Sequence, residues 1–197
     1  MKKLIVFFLL LMTCFALGFT VKEKVIENFN RMKKLPSHWW VFGDITPSFG
    51  QVDTNRFLKI IGVAKNWYVG GLGAYIVVDG TEYNTFEIDV KGNGKIKVQL
   101  FDDDNNNDQI EQDDKFNPTY DDRWECEEAI DTDGCWEKVD LPLSDFNDMN
   151  PGIGNDVFDI DKNNGSGGLV QMQFIFIAPS EKGNVNINID NIKLINK

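Results

Sequence analysis

From Phe57 onward the chain is a succession of short segments in which apolar and polar residues alternate, separated by clusters of Gly, Asn and Asp. A period of two sends one set of side chains to each face of a strand. Phe86, Ile88 and Val90 alternate with Thr85, Glu87 and Asp89, and Ile96, Val98 and Leu100 alternate with Lys95, Lys97 and Gln99. The pattern predicts eight strands, at residues 57–63, 74–78, 85–90, 95–101, 124–130, 136–141, 169–178 and 185–195. Residues 91–94 (KGNG), 131–134 and 163–168 carry turn chemistry between them. Helix is expected nowhere beyond a turn at residues 144–146, and no repeat or linker divides the chain. Regular short strands with turn signals predict an all-β fold, an antiparallel β-sandwich.

The last strand adds a local feature. Val185, Ile187 and Ile189 hold the apolar phase, and then Ile192 and Leu194 take it over after a slip of one residue at Asp190-Asn191. Such a slip predicts a β-bulge, which re-aims a side chain. Asp190 is therefore either a ligand for a hard cation such as calcium or a solvated carboxylate at a kink.

Acidic residues gather in two loops. In FDDDNNNDQIEQDD, residues 101–114, Asp102, Asp104, Asn106 and Asp108 occupy alternate positions, and Asp113 falls where a calcium-binding loop places its last ligand. That spacing lets one loop wrap oxygens around one cation, although Asn107 stands where Gly is expected. The alternative is a solvated acidic loop. Asp156, Asp159, Asp161 and Asn163 repeat the spacing more weakly.

Flat aromatic rings and planar polar groups are what a sugar-binding surface needs. Gln99, Gln171 and Gln173 fall on the outward phase of their strands and would cluster if those strands are neighbours. Tyr120, Asp121 and Arg123 lie together in one loop, and Trp67-Tyr68 forms a second candidate edge. Tyr75, Tyr83 and Trp124 are further rings available to such a surface, with the core as the alternative place for Trp124; Trp136 reads as a core residue. Catalysis has little support: the single His38 argues against the usual nucleophile triads and zinc hydrolysis, and a glycosidase-type carboxylate pair stays open although the carboxylates sit in loops.

The net charge of −11 argues against nucleic acid and against an anionic membrane surface. At the N-terminus Lys2 and Lys3 precede an apolar run, and Ala16-Leu17-Gly18 closes it with small residues. That pattern reads as a secretory signal over residues 1–18, with one domain over residues 19–197 in a secreted or periplasmic protein. Residues 11–14 (LMTC) also resemble a lipoprotein box in which Thr13 is a poor fit. No other stretch is long and apolar enough to cross a bilayer. Export and close spacing predict a Cys126–Cys135 disulfide, with free thiols as the alternative.

Several motifs then resemble one family in their order along the chain. They are ENFN at residues 27–30, Trp39-Trp40, FEIDV at 86–90, WEKVDLPLSDF at 136–146, QFIFIA at 173–178 and IDNIKLI at 189–195. The chain resembles the β-jelly-roll carbohydrate-binding modules of the galactose-binding-like superfamily, above all the β-glucan-binding modules of bacterial cellulases. Complex-I-assembly-factor-like jelly rolls share the skeleton. The resemblance implies a jelly roll whose first and last strands share a structural calcium, here at Glu27, Asn28, Asn30 and Asp190. It also implies a glycan partner. Three functions follow: a secreted, non-catalytic, calcium-stabilised carbohydrate-binding protein, a secreted calcium-dependent adhesion or structural protein that binds another protein, or a polysaccharide-acting enzyme.

Overall fold

The computed structural model describes residues 21–163 and 165–197; the predicted export signal, with Cys14, lies outside the described residues. The strands are β1 (Glu23–Glu27), β2 (Trp39–Gly43), β3 (Ile45–Val52), β4 (Asn55–Val63), β5 (Tyr68–Val78), β6 (Thr85–Asp103), β7 (Asp122–Asp131), β8 (Glu137–Pro142), β9 (Asn147–Asp148), β10 (Gly168–Ile177) and β11 (Asn184–Ile195). A single 3-10 turn, Leu143–Asp145, is the only helical element among the described residues. All pairings are antiparallel.

β6 organises the fold. Two strands were predicted where there is one of 19 residues. Its first half pairs with β8 and β11, and its second half pairs with β7 and β10. The KGNG segment bends the strand without breaking it. Gly92 and Gly94 take φ of 143° and 137°, which side chains disfavour. Asn93 still pairs with both Asn186 and Asp131. The bend folds one hydrogen-bonded network into two layers. The first runs β2-β5-β10-β6-β7, and the second runs β8-β6-β11-β4-β3, with β1 alongside the end of β11. This is the jelly-roll sandwich.

The predicted alternation fills the space between the layers. Ile96, Val98, Leu100, Met172, Phe174 and Phe176 face inward from the first layer; Leu58, Ile60, Phe86, Ile88 and Ile187 face them from the second, in one cluster. Phe86 and Phe174 meet across the layers with ring centroids 6.2 Å apart. The slip in β11 is a bulge: Asp190 pairs with Asp89 and Lys193 with Glu87, leaving one extra residue, with Asn191 at φ 46°. Four strands escaped the sequence pattern. β2 and β3 lie at the ends of the strand order, where one-sided burial erodes alternation and Pro47 is tolerated; β1 and β9 are short.

The predicted disulfide is not formed; Cys126 and Cys135 are free. The register gives the reason. β7 and β8 do not make a hairpin but follow one another along the same edge of β6, with Cys126 opposite Val98 and Glu137 opposite Val90. At ~3.3 Å per residue the two cysteines stand on the order of 20 Å apart, whereas a disulfide needs Cα atoms within about 7 Å. Trp136 also departs from expectation. It is 38% exposed and meets Phe57 edge-on at 5.2 Å.

Two outcomes follow. Alkylation of the native protein without reductant will label two thiols, exposed Cys135 faster than half-buried Cys126; intact mass reads both, and an unlabelled pair would contradict the register. Gly92→Val will cost more than ~2 kcal/mol in urea unfolding, because its Cβ would lie 2.1 Å from the Asn186 carbonyl oxygen.

Candidate functional site

Antiparallel registration places cross-strand partners on the same face, so the outer face of the first layer can be read row by row. One row runs Trp40, Gly73, Gln173, Gln99 and Glu125, and the next runs Phe42, Gly71, Ile175, Lys97 and Glu127. On either side lie Tyr75, Gln171, Phe101 and Arg123, and Tyr68, Ile177, Lys95 and Ala129. Aromatic residues occupy the β2–β5 flank and hydrogen-bonding residues the β6–β7 flank.

Glycine makes the aromatic flank flat. A Cβ on Gly73 would lie 2.2 Å from Cζ2 and 2.5 Å from Cε2 of Trp40, and one on Gly71 would lie 2.3 Å from Cζ of Phe42. Both rings therefore lie directly on the β5 backbone, with their other side toward solvent. Tyr75, 47% exposed, adjoins Trp40 at 5.2 Å between centroids.

The polar flank is a connected network. Gln173 Nε2 donates to Gln99 Oε1 at 2.9 Å, and Gln99 Nε2 donates to Glu125 Oε2 at 2.8 Å. Lys97 Nζ donates to Glu125 Oε1 at 2.7 Å, and its hydrogen bond to Glu125 holds its pKa above the usual lysine range. Lys95 pairs with Glu127. Amide ladders and compensated charges leave the face polar without a dominant sign. A surface cleft of 660 Å³, lined by residues such as Thr81, Tyr83, Asp140 and Phe158, lies off this face.

The structure thus brings Gln99, Gln171 and Gln173 onto one face and adds Tyr68 at its corner. Trp67, 50% exposed, precedes β5 at φ 71°. The Tyr120 group is dispersed. Tyr120 stands exposed in the loop ahead of β7. Arg123 turns its guanidinium to the Met149 carbonyl, 3.3 Å away. Asp121 is fully buried and accepts from the amides of Asp104 and Glu111; burial, then its hydrogen bond with Glu111, pushes its pKa up to about 7. Trp124 packs into the interior and stacks on Phe158 at 4.9 Å. Sequence reasoning missed Trp40 and Phe42. The signal was the glycine-rich stretch at 70–73 in β5, since glycine inside a strand marks close approach to the backbone.

The predicted cation ligands separate as well. At the chain ends Glu27 Oε1 accepts from the amides of Asn28 and Phe29, and Asn28 Oδ1 from the Asn30 amide. Asn30 Oδ1 accepts from the Arg56 amide. Asp190 Oδ2 accepts from Asn55 Nδ2 and its Oδ1 from the Asn191 amide. Each of those oxygens accepts an N–H group of the chain itself, so the four side chains also brace the turns at the chain ends. In the acidic loop Asn106 is exposed, Asp108 pairs with Lys162 at 2.7 Å, and Asp113 accepts from the amides of Lys115 and Asn117. Asp108 closes an ion pair and Asp113 a local turn, so both stand apart from one shared site.

Asp102 and Asp104 instead meet Asp122 at the joint end of β6 and β7, where one oxygen from each lies within 4.8 Å of the others. Solvent reaches neither Asp102 nor Asp122. Burial, then the charge of Asp104, pushes Asp102 up to about 9. Burial, then Asp122, raises Asp104 to about 7, and burial, then Asp148, raises Asp122 to about 6.

Comparison with known proteins gives two findings. Residues 79–196 match the family described as the surface glycan-binding protein B xyloglucan-binding domain. That span holds the polar flank and the carboxylates; Trp40, Phe42, Tyr68 and Tyr75 precede it. Among solved structures the chain is similar to the family 11 carbohydrate-binding module of the cellulosomal cellulase Lic26A-Cel5E of Clostridium thermocellum. That likeness has a TM-score of 0.57 at 15% identity, over 90% of this chain and 96% of that one. A complex of the Clostridium thermocellum family 11 module with a β-1,3-1,4-mixed-linked tetrasaccharide gives 0.57 at 16% identity, over 88% and 95%. At such identity the likeness establishes the jelly-roll fold. No curated protein matches.

Gly73→Val will lift the Trp40 ring from β5. The expected result is a red-shifted tryptophan emission with the strand circular dichroism retained; an unchanged emission would mean that the ring does not rest there.

Proposed function

The chain belongs to the surface glycan-binding protein B xyloglucan-binding domain family, and from that membership we propose that it is an exported, calcium-stabilised, non-catalytic module that holds a neutral, β-linked glucan against the outer face of β2, β5, β10, β6 and β7. The observation that carries the reading is the pair of Trp40 and Phe42 rings laid flat on Gly73 and Gly71 beside the Gln173–Gln99–Glu125 network. Rings of this kind stack on the apolar faces of pyranoses, and side-chain amides meet the hydroxyls.

Shape and charge narrow the ligand class. The face is flat along its β2–β5 flank, while Gln99 and Gln171 are buried within it, and a flat surface suits an extended, ribbon-like β-glucan better than a coiled α-glucan. Five strands at ~4.8 Å spacing span about 19 Å, room for roughly four sugar rings. The acidic chain repels uronate polymers. The bound tetrasaccharide of the similar family 11 module supports the same class. The family and the similar family 11 module are described as glycan-binding, which supports a non-catalytic reading.

Calorimetry against xyloglucan and mixed-linkage β-glucan, with pullulan and polygalacturonate as contrasts, tests this. The first two should bind and the last two should not. Trp40→Ala and Gln173→Ala should each weaken binding by about 1–3 kcal/mol, roughly 5- to 150-fold, while Tyr120→Ala changes it less than about threefold. A wild-type protein that binds neither β-glucan would overturn the reading.

A further inference from the structure

We propose that Asp102, Asp104, Asp122 and Asp159 form a site for one calcium ion, which ties the ends of β6 and β7 to the long loop between β9 and β10. This places the calcium of the functional reading at one stated site but does not depend on glycan binding. It stands on orphaned oxygens. Oδ1 of Asp102, both oxygens of Asp104, both of Asp122 and Oδ1 of Asp159 are buried and meet no donor at normal hydrogen-bond distance and angle. Asp122 is wholly enclosed, with neither oxygen partnered. Unpaired buried carboxylates are among the costliest arrangements in a protein interior. Among the described residues no lysine or arginine pairs with any of the four. A cation is the remaining neutraliser that leaves all of them ionised.

Geometry and donor type select the ion. Oxygens bound to one calcium at ~2.3–2.6 Å lie at most about 5 Å apart, and the three closest carboxylates here meet within 4.8 Å. The donors are carboxylates without imidazole or thiolate, which suits a hard cation, and the irregular geometry favours calcium over octahedral magnesium. The backbone is shaped to the same place. At Gly154, φ is 74°, and a Cβ would fall 2.3 Å from Asp104 Oδ2 and 2.4 Å from Asp122 Oδ1. The loop is already pinned beside the site, with the Asp159 amide donating to Asp102 Oδ2 at 3.0 Å and Asn150 Nδ2 to the Asp121 carbonyl at 2.9 Å.

Asp102 belongs to the strand that carries Gln99, so ion release should loosen one edge of the proposed glycan face. The tests are calorimetric calcium titration and melting in calcium against chelator, on wild type, Asp104→Asn/Asp122→Asn and Asp190→Asn. Wild type should bind one ion and melt higher in calcium. The double variant should lose at least about tenfold in calcium affinity and most of the shift, yet melt in chelator no lower than wild type, because it has shed repelling charge. That last result separates a metal site from a merely structural cluster. Asp190→Asn should keep the shift. Equal wild-type midpoints without calorimetric binding, or a double variant with the full shift, would overturn the site. Glycan titration of the same samples keeps the two proposals apart: β-glucan binding without calcium binding removes only this inference.

Discussion

Everything in this molecule hangs on β6 crossing from one layer of the sandwich to the other without losing its pairing. Strand pairing demands continuous backbone hydrogen bonds, and a sandwich demands that the sheet turn back on itself. Gly92 and Gly94 reconcile the two by adopting φ values that a side chain would forbid. Even-numbered residues face the core on both sides of the bend, from Phe86, Ile88 and Val90 to Ile96, Val98 and Leu100. A one-residue error in that phase would turn every buried side chain of one half toward water. The same strand carries Gln99 outward and Asp102 to its end, so core, outer face and acidic cluster share one register.

The outer face shows how a sheet becomes a flat platform. A tryptophan on an edge strand ordinarily stands away from the pleat. Here glycines on the neighbouring strand remove the side chains that would prop it up, and the ring settles onto the backbone. The polar flank obeys a different constraint. Gln99, Gln173, Glu125 and Lys97 fix one another's orientation before any ligand arrives, which lowers the ordering cost that weakens most shallow binding sites.

The carboxylates illustrate the opposite economy. Asp121 and Asp103 are buried and satisfied, each accepting backbone amides that shape the loop after β6. Asp102 and Asp122 are buried and Asp104 half-buried, and all three are left with orphaned oxygens. Side by side, the two groups separate acids whose oxygens brace the fold from acids whose oxygens find no donor in it.

The sequence by itself determined the strands that alternate, the all-β class, the β11 bulge at Asp190-Asn191, and the outward phase of Gln99, Gln171 and Gln173. These are period-two properties, written in local order and enforced by burial. Tertiary structure decided the rest, because contacts between distant segments carry no local period. The bend of β6, read from sequence as a turn, depends on partners on both sides of it. Trp40 matters because Gly73 lies beneath it. The collinear run of β7 and β8 along β6 keeps Cys126 from Cys135, though nine residues of chain would allow them to meet. The spacing in residues 101–114 pointed to one loop folding on itself. The fold instead takes Asp102 and Asp104 from it, Asp159 from a second loop and Asp122 from neither, since buried carboxylates gather where strands end together rather than where they are neighbours in sequence.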